Sequence, residues 1–299
     1  MTEIRFDVLA IGNAIVDIMA RIEEDFLVAE GLSKGTMHLI DGDRAAILHG
    51  HMQGAIERSG GSAGNTAAGV ASLGGRAAFI GKVANDAMGA LYKADMAAIG
   101  VHFATPPLEA GAPTARSMIL ITADGERTMN THLGACQALS PADIDPDVVS
   151  ASAITYLEGY LWDPPEAKKA FRRAAEIAHA AGRKVSITLS DAFCVDRFRQ
   201  EFLDLIRTRT VDIVFANDSE LKSLYETSSL EAAVAAVRQD SVLTAVTTGA
   251  DGALVVTADG VTAVPATPVE TVVDLTGAGD LFAAGFLYGI ARNLEHAQA

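Results

Sequence analysis

Four residues near the end of the sequence, Gly277-Ala278-Gly279-Asp280, have the types and spacing needed to hold a phosphate beside a carboxylate. A β-branched run precedes them and an alanine-rich helical pattern follows, so the glycines stand where a strand turns into a helix. Glycine allows a tight turn, and the first amides of a helix lack intrahelical partners and attract anions. We predict that the Gly277–Gly279 amides hold a transferring phosphoryl group while Asp280 acts as general base on a substrate hydroxyl. The alternative is a helix C-cap followed by an ordinary N-cap aspartate.

A second glycine-rich stretch, Ser59–Val70, opens another helical pattern. Gly60 and Gly61 permit close approach of a ligand to the backbone, and Asn65 offers both a hydrogen-bond donor and an acceptor. A diol or a sugar edge is a natural ligand for that combination, so we predict that these residues bind the substrate. The alternative is a plain glycine-rich loop before a tightly packed helix of small residues.

Polar side chains stand in two strand patterns. Asn13 and Asp17 stand in an apolar stretch whose buried strand ends at Gly12, and buried polar groups need partners. Either they bind substrate hydroxyls, as we predict, or they cap a turn or face water. Arg127 begins a strand after a hairpin turn and is a candidate phosphate clamp, although exposed arginines are common in turns.

Two loops could serve a nucleotide and its metal ion. Asn217 places an amide at a strand end and Glu220 a carboxylate in the next helical turn, which together can hold hydrated Mg²⁺ or form an ordinary capping box. Thr248, Gly249 and Gly252 form a glycine-spaced loop that suits the approach of a nucleotide, or is simply a β-turn.

Strand and helix patterns alternate along most of the chain, which predicts an α/β fold with a mostly parallel central sheet flanked by helices. Ligands of such sheets bind at the carboxyl ends of the strands. Asn13, Asn217, Gly249 and the Gly277–Asp280 loop all fall at such ends, so we expect one composite site. Residues 22–42 are too irregular for a pair of core helices and predict a small sheet outside the main fold.

Composition limits the classes of partner. The 299 residues are 49% hydrophobic and 20% charged, which is typical of a globular protein with a large core. With 23 Lys and Arg against 38 Asp and Glu, the net charge of −15 argues against a nucleic-acid binder and against an anionic membrane surface. Cys136 and Cys194 form no disulfide framework, and neither a signal peptide nor a membrane span is predicted, so we expect a cytoplasmic protein.

Taken together, these motifs resemble those of a known family. In chain order they are Gly12-Asn13 with Asp17, Gly60-Gly61 with Asn65, Asp124-Gly125-Glu126-Arg127, Asn217 with Glu220, Thr248-Gly249 with Gly252, and Gly277-Ala278-Gly279-Asp280. The chain resembles the ribokinase-like, or PfkB, carbohydrate and nucleoside kinases, and among them the adenosine kinases most. The resemblance implies one Rossmann-like domain over residues 1–299, with a small β-sheet lid from segments near 15–42 and 103–135.

The same resemblance implies ATP- and Mg²⁺-dependent phosphorylation of a primary hydroxyl, with Asp280 as base. Asp17, Gly61 and Asn65 would grip a ribose, and Arg127 would contact the transferring phosphate. The implied ATP-binding residues are Asn217, Thr248, Gly249, Gly252 and Thr276.

Adenosine kinases cushion the base of the nucleoside with aromatic and apolar side chains. Tyr160, Trp162, Leu133 and Met37 are the candidates for that role here.

The chain also departs from the family pattern at two places. Leu275 replaces a threonine or small residue near Asp274, so the sequence does not decide whether a K⁺ site exists there. The family usually continues beyond the last residues, 296–299, through a helix on the adenine side of the ATP pocket. Either those residues are missing from the sequence as given, or the chain is a fragment with an incomplete nucleotide site.

The leading hypothesis is an ATP-dependent nucleoside kinase that makes AMP from adenosine. A sugar kinase of the same family, acting on ribose, fructose or 2-keto-3-deoxygluconate, is the nearest alternative. A catalytically silent nucleoside-binding protein is the other. The protein is expected to be a monomer or a homodimer.

Overall fold

The computed structural model describes residues 2–240, 242–270 and 277–299, and its framework is a nine-stranded sheet. Its strands lie in the order β14-β13-β12-β11-β10-β9-β1-β5-β6. They are β1 (Phe6–Ile11), β5 (Ala77–Ile80), β6 (His102–Phe103), β9 (Ser152–Glu158), β10 (Lys184–Thr188), β11 (Ile213–Asn217), β12 (Leu243–Thr247), β13 (Ala253–Val256) and β14 (Val261–Val264). All pairings from β6 across to β12 are parallel, and β13 and β14 add an antiparallel edge.

Helices cover both faces of this sheet. In chain order, the helices of the described residues are α1 (Glu24–Ala29), α2 (Gly42–His51), α3 (Ser62–Ser72), α4 (Ala87–Ala98), α5 (Pro146–Ser150), α6 (Pro165–Ala180), α7 (Ala192–Arg207), α8 (Asp218–Leu224), α9 (Leu230–Gln239) and α10 (Ala278–Ala291). Because successive strand residues point to opposite faces, β1 enters two apolar layers: Leu9 and Ile11 pack with α6 and α7, and Val8 and Ala10 with α3 and α10. The predicted α/β fold, with a mostly parallel sheet between helices, is confirmed.

A second, five-stranded sheet stands beside the first, in the order β3-β8-β7-β2-β4. Its strands are β2 (Ile15–Arg21), β3 (Met37–Leu39), β4 (Ile56–Gly60), β7 (Ala115–Ile121) and β8 (Arg127–His132). Strand β4 lies outside the two segments predicted for this sheet, and it leads through the single residue Gly61 into α3. Helix α2, which the sequence did not reveal because its hydrophobic pattern is weak, packs on β7 and β8.

The strand order places a crevice at the centre of the large sheet. Strand β1 lies between β5 and β9, so the connections that leave its two neighbours run in opposite directions across the sheet. A reversal of that kind opens a crevice at the carboxyl ends of the strands, where ligands bind. Asn13 and Glu158 stand at this point. Among the described residues, no helix is both long and apolar enough to cross a membrane.

Candidate active site

The carboxylate of Asp280 lies in the first turn of α10 and is held by two side chains of α3. Gly277, the N-cap of α10, has a φ of 75° that glycine adopts without strain. Ser62 donates its hydroxyl to Oδ1 of Asp280 over 2.6 Å, and Asn65 donates its amide to Oδ2 over 3.0 Å. Burial raises the pKa of Asp280, and these two hydrogen bonds oppose the rise. A carboxylate so placed is a fixed proton acceptor at the positive end of a helix.

Close packing between α3 and α10 sets this geometry. A β-carbon at Gly69 of α3 would lie 2.7 Å from the β-carbon of Ala284 of α10, so the helices approach more closely than a larger residue allows. Thr66 adds a bond from its hydroxyl to the main-chain oxygen of Asp280, over 3.3 Å. The donors to the carboxylate are therefore held by helix packing before any ligand arrives.

Gly60 and Gly61 allow the chain to approach itself. A β-carbon at Gly61, whose φ is 85°, would lie 2.2 Å from the carbonyl oxygen of Asn13, and one at Gly60 would lie 2.2 Å from Oδ2 of Asp17. The two predicted substrate-binding motifs, around Asn13 and around Gly61, thus touch each other. The contact of either glycine with a substrate stays a prediction.

Asp17 of β2 belongs to the same region. Burial raises the pKa of its carboxyl group to about 7, the positive charge of Arg127 opposes the rise, and the negative charge of Asp280 adds to it. Arg127, at the start of β8, and Asp280 therefore both lie close enough to act on Asp17, as expected for parts of one site.

A cavity of about 360 Å³ opens at the carboxyl ends of β9 to β12. The predicted residues that line it are Tyr160, Asn217, Glu220, Gly277, Ala278, Gly279 and Asp280. Ser62, Met129, Tyr156, Thr188, Ser190, Phe215 and Phe282 complete most of the wall. The cavity joins the glycine loop, the carboxylate and the Asn217–Glu220 pair in one space.

Asn217 and Glu220 form the capping box that was the alternative to a metal site. The amide of Asn217 and its main-chain N–H each donate to Glu220, over 2.6 and 3.0 Å, and the Asn217 side chain accepts from the Glu220 N–H. Burial raises the pKa of Glu220 to about 7, with the Asn217 N–H opposing the rise. The described residues contain no group of three or more His, Cys, Asp or Glu side chains that could hold a metal ion. The role of Asn217 and Glu220 in holding a hydrated Mg²⁺ stays a prediction.

A second cavity, of about 380 Å³, adjoins the first and shares Thr247, Ala278, Gly279 and Phe282 with it. Its other walls are Gly249, Gly252, Ala253, Val264, Pro265 and Ala266. The loop stays compact because the Thr248 N–H donates to the carbonyl of Gly252 over 2.9 Å. A shallow apolar space beside bare helical amides fits a flat purine ring followed by phosphates. Thr276 and the predicted K⁺ site near Asp274 lie outside the described residues.

The prediction that Trp162 cushions a nucleoside base needs correction. Its side chain is fully buried in the core, between Phe171 and Phe202, and its indole N–H donates to Glu201 over 3.0 Å. No face of the ring is free for a ligand. Tyr160, by contrast, is 41% exposed and lines the first cavity, with its hydroxyl bonded to the Ser190 carbonyl.

Two other apolar candidates differ in position. Leu133 is partly buried and does not line the first cavity, whereas Met129 of β8 does. Met37 of β3 is the cross-strand partner of Met129, and 46% of its side chain is exposed. Met129 is therefore an apolar side chain of the second sheet that lines the first cavity, and the sequence did not single it out.

Sequence reasoning also missed Ser62, Tyr156 and Glu158. Ser62 follows two glycines at the start of a helix, where a hydroxyl lies beside main-chain amides that lack intrahelical partners. Its position in the sequence was therefore a detectable signal. Glu158 is a lone charge ending an apolar strand, which is also a detectable signal. Tyr156 has none, because a tyrosine within a buried strand is ordinary core sequence.

Comparison with known proteins identifies the family. The model of the pfkB family carbohydrate kinases matches residues 37–299. The chain belongs to the pfkB family. A solved adenosine kinase from Sinorhizobium meliloti is 56% identical, with 98% of this chain and 90% of that one covered and a TM-score of 0.91.

Two further relatives carry different names. A solved structure described as a probable sugar kinase from Rhizobium etli CFN 42 is 53% identical, covering 99% of this chain and 89% of that one with a TM-score of 0.91. Fructokinase-1 of Oryza sativa subsp. japonica is 31% identical over 80% of this chain and 75% of its own length. This pfkB-family chain is thus a sugar or nucleoside kinase, a phosphotransferase that uses ATP and has an alcohol group as acceptor. The resemblance that the motifs indicated is confirmed.

Replacing Asp17 with asparagine is expected to make the stability of the protein less dependent on pH. Between pH 3.8 and about 7 the folded protein keeps a proton on Asp17 that the unfolded chain releases, so the free energy of unfolding falls as pH rises through that window. Asp17→Asn should reduce the decrease of the free energy of unfolding across this pH window. It should also raise the melting temperature at pH 8 by about 3 °C, because asparagine buries no charge there. Glu158 and Glu220, whose pKa values burial also raises to about 7, keep the rest of the slope.

Thermal unfolding of the ligand-free protein between pH 5 and 8 measures this effect. Glu166→Gln, at an exposed position of α6, is the control and should leave the curve parallel to that of the wild type. Equal slopes for Asp17→Asn and the wild type would rule out a raised pKa at Asp17.

Proposed function

We propose that this chain is an ATP-dependent nucleoside kinase that phosphorylates the 5′-hydroxyl of adenosine to form AMP. The observation that carries the proposal is the Asp280 carboxylate, which Ser62 and Asn65 orient at the N-terminus of α10, in the wall of the first of two adjoining cavities. The 56% identity to a protein named adenosine kinase supports the choice of acceptor.

The two cavities have different characters that suit the two substrates. The second cavity, with Val264, Pro265 and Phe282 in its walls, would take the purine of ATP. The first would take the phosphate chain and the acceptor, whose ribose would meet Asp17 and Asn65. Tyr160 and Met129 lie in the wall of this cavity and would contact the acceptor base.

Phosphoryl transfer in this site would depend on positioning and on electrostatic stabilisation. Asp280 would accept the proton of the attacking hydroxyl, and the amides of α10 would hold the transferring group as its charge shifts. Mg²⁺ bound to the phosphates would supply further positive charge, with Asn217 and Glu220 holding its water shell. Arg127 would add a positive charge near Asp17, and the second sheet would exclude water as a lid over the first cavity.

An assay of ADP formation with Mg²⁺-ATP tests the proposal against each acceptor in turn. The panel is adenosine, inosine, guanosine, ribose, fructose and 2-keto-3-deoxygluconate. Turnover with adenosine well above that with the others is the expected result, and Asp280→Asn is the negative control.

Preference for a sugar would move the acceptor to the sugar-kinase alternative, which the 53% identical relative described as a probable sugar kinase favours. Adenosine binding without turnover would contradict the proposal and support a silent nucleoside-binding protein.

A further inference from the structure

Glu158, the last residue of β9, is a buried carboxylate that the proposed reaction does not use. Only 1% of its surface is exposed, and it lines neither cavity. Its Oε1 accepts from Nδ2 of Asn13 over 2.5 Å, and its Oε2 accepts the main-chain N–H of Asn13 and of Ala63, over 3.2 and 2.9 Å. It therefore joins the carboxyl ends of β9 and β1 to the N-terminus of α3.

These contacts determine which way the Asn13 side chain faces. Oε2 of Glu158 already accepts two main-chain N–H groups, and the NH₂ group of Asn13 donates to Oε1, so the carbonyl Oδ1 of Asn13 points away from Glu158. Oδ1 is buried and has no hydrogen-bond partner among the described residues. Glu158 packs directly against Gly12, where a β-carbon would lie 2.3 Å from its Oε2, so only glycine leaves room for this carboxylate.

A buried acceptor without a partner is costly until a donor reaches it. Asn13 is the second residue after β1, at the crevice in the centre of the sheet, and it touches Gly61 at the start of α3. A hydroxyl group of the acceptor substrate is the chemistry that would satisfy Oδ1 there, because it can donate a hydrogen bond without bringing a charge.

We propose that Glu158 is a positioning residue that locks the Asn13 amide with its oxygen toward the acceptor substrate, so that the site selects acceptors with a hydroxyl at that point. The role rests on the proposed function, because it presumes an alcohol acceptor in the crevice. It also differs from simple substrate contact, since Glu158 acts only through Asn13 and through the α3 amide at Ala63.

Glu158→Gln tests this role with little change in shape. The new amide can keep its oxygen on the two main-chain N–H groups, but its NH₂ then faces Asn13. Asn13 must turn its own amide around to accept that bond, which points an NH₂ group at the substrate. The KM for the acceptor should rise by about tenfold or more, as expected when a buried polar pair is mismatched, while kcat and the KM for ATP change little.

The double variant Glu158→Gln/Asn13→Asp reverses the hydrogen-bond pattern and is the decisive test. One oxygen of the introduced carboxylate accepts from the introduced NH₂ group, and the other again faces the substrate as an acceptor. The acceptor KM should return toward the wild-type value, whereas Asn13→Asp alone places two carboxylates in contact and should be the worst of the three. A double variant no better than Glu158→Gln would overturn the proposal.

Deoxy analogues give a second test that does not depend on the double variant folding. Wild-type protein should bind one of the two analogues, 2′-deoxyadenosine or 3′-deoxyadenosine, about tenfold or more weakly than adenosine. Glu158→Gln should lose this preference for adenosine, because Oδ1 of Asn13 no longer faces the position of the missing hydroxyl. An unchanged preference in folded Glu158→Gln protein would overturn the role.

Asp143→Asn is the matched control, because Asp143 is also a buried carboxylate but pairs with Lys82 away from both cavities. It should leave the KM for the acceptor and the preference for adenosine at their wild-type values. Failure of the proposed function is seen separately, as absence of wild-type turnover with adenosine. In that case the wild type and the variants are compared with the acceptor from the panel that the wild type does phosphorylate, or by titration of acceptor binding.

Discussion

Asp280→Asn is expected to lower kcat by about a thousandfold, within the range of 10² to 10⁴ that a positioned general base contributes. The carboxylate is fixed by Ser62 and Asn65 at the N-terminus of α10, so it is ready to take a proton when an acceptor hydroxyl arrives. An asparagine keeps the size of the side chain and one accepting oxygen, but it cannot take up a proton. The loss should therefore fall on kcat, with affinity for the acceptor retained.

Two measurements separate these effects. ADP formation at saturating adenosine gives kcat, and isothermal titration calorimetry gives the affinity for adenosine. Ser62→Ala serves as a comparison, because it removes one donor and leaves the base, and it should cost far less than the loss of the carboxylate itself. Normal turnover by Asp280→Asn would exclude Asp280 as the base.

Gly61→Ala is expected to lower the free energy of unfolding by about 2–4 kcal/mol and to impair activity as well. Gly61 has a φ of 85°, in a region that alanine adopts only with strain, and a β-carbon there would lie 2.2 Å from the carbonyl oxygen of Asn13. Relief of that clash must move either Asn13 or the first turn of α3. Both changes displace groups that face the site, among them Ser62.

Gly50→Ala is the matched control. Gly50 lies in α2, its φ is not positive, and an added β-carbon meets no non-neighbouring atom within 4 Å. The replacement should leave stability unchanged or raise it by about 0.5–1 kcal/mol, because alanine favours a helix more than glycine does. Chemical denaturation and acceptor kinetics measure both variants. Equal stabilities for Gly61→Ala and the wild type would mean that the backbone at Gly61 is not constrained.

The parts of the fold that follow from local sequence were predictable. Glycines and a strand end indicated the loop before α10, and the alternation of strand and helix patterns predicted the parallel sheet. Both signals come from residues that are neighbours in the chain. Helix α2 was missed because its own hydrophobic pattern is weak and its packing on β7 and β8 comes from distant sequence.

The site itself was only partly predictable, since its walls come from residues far apart in the chain. Trp162 stands two residues after Tyr160, yet the short helical turn between them sends Trp162 into the core and leaves Tyr160 at the cavity. Met129 enters the cavity because β8 lies beside β3 and β7, a pairing no local pattern encodes. The partners of Glu158 and Asp280 depend in the same way on how helices and strands pack.

The single residue between β4 and α3 has a mechanical consequence. β4 ends at Gly60 as an edge of the second sheet, and α3 begins at Ser62, which holds the carboxylate of Asp280. The second sheet and the helix that holds Asp280 through Ser62 are therefore joined by the single residue Gly61. By thermodynamic reciprocity, a contact that fixes the second sheet in one position also fixes the Ser62–Asp280 pair, and a ligand that engages Asp280 also steadies the second sheet.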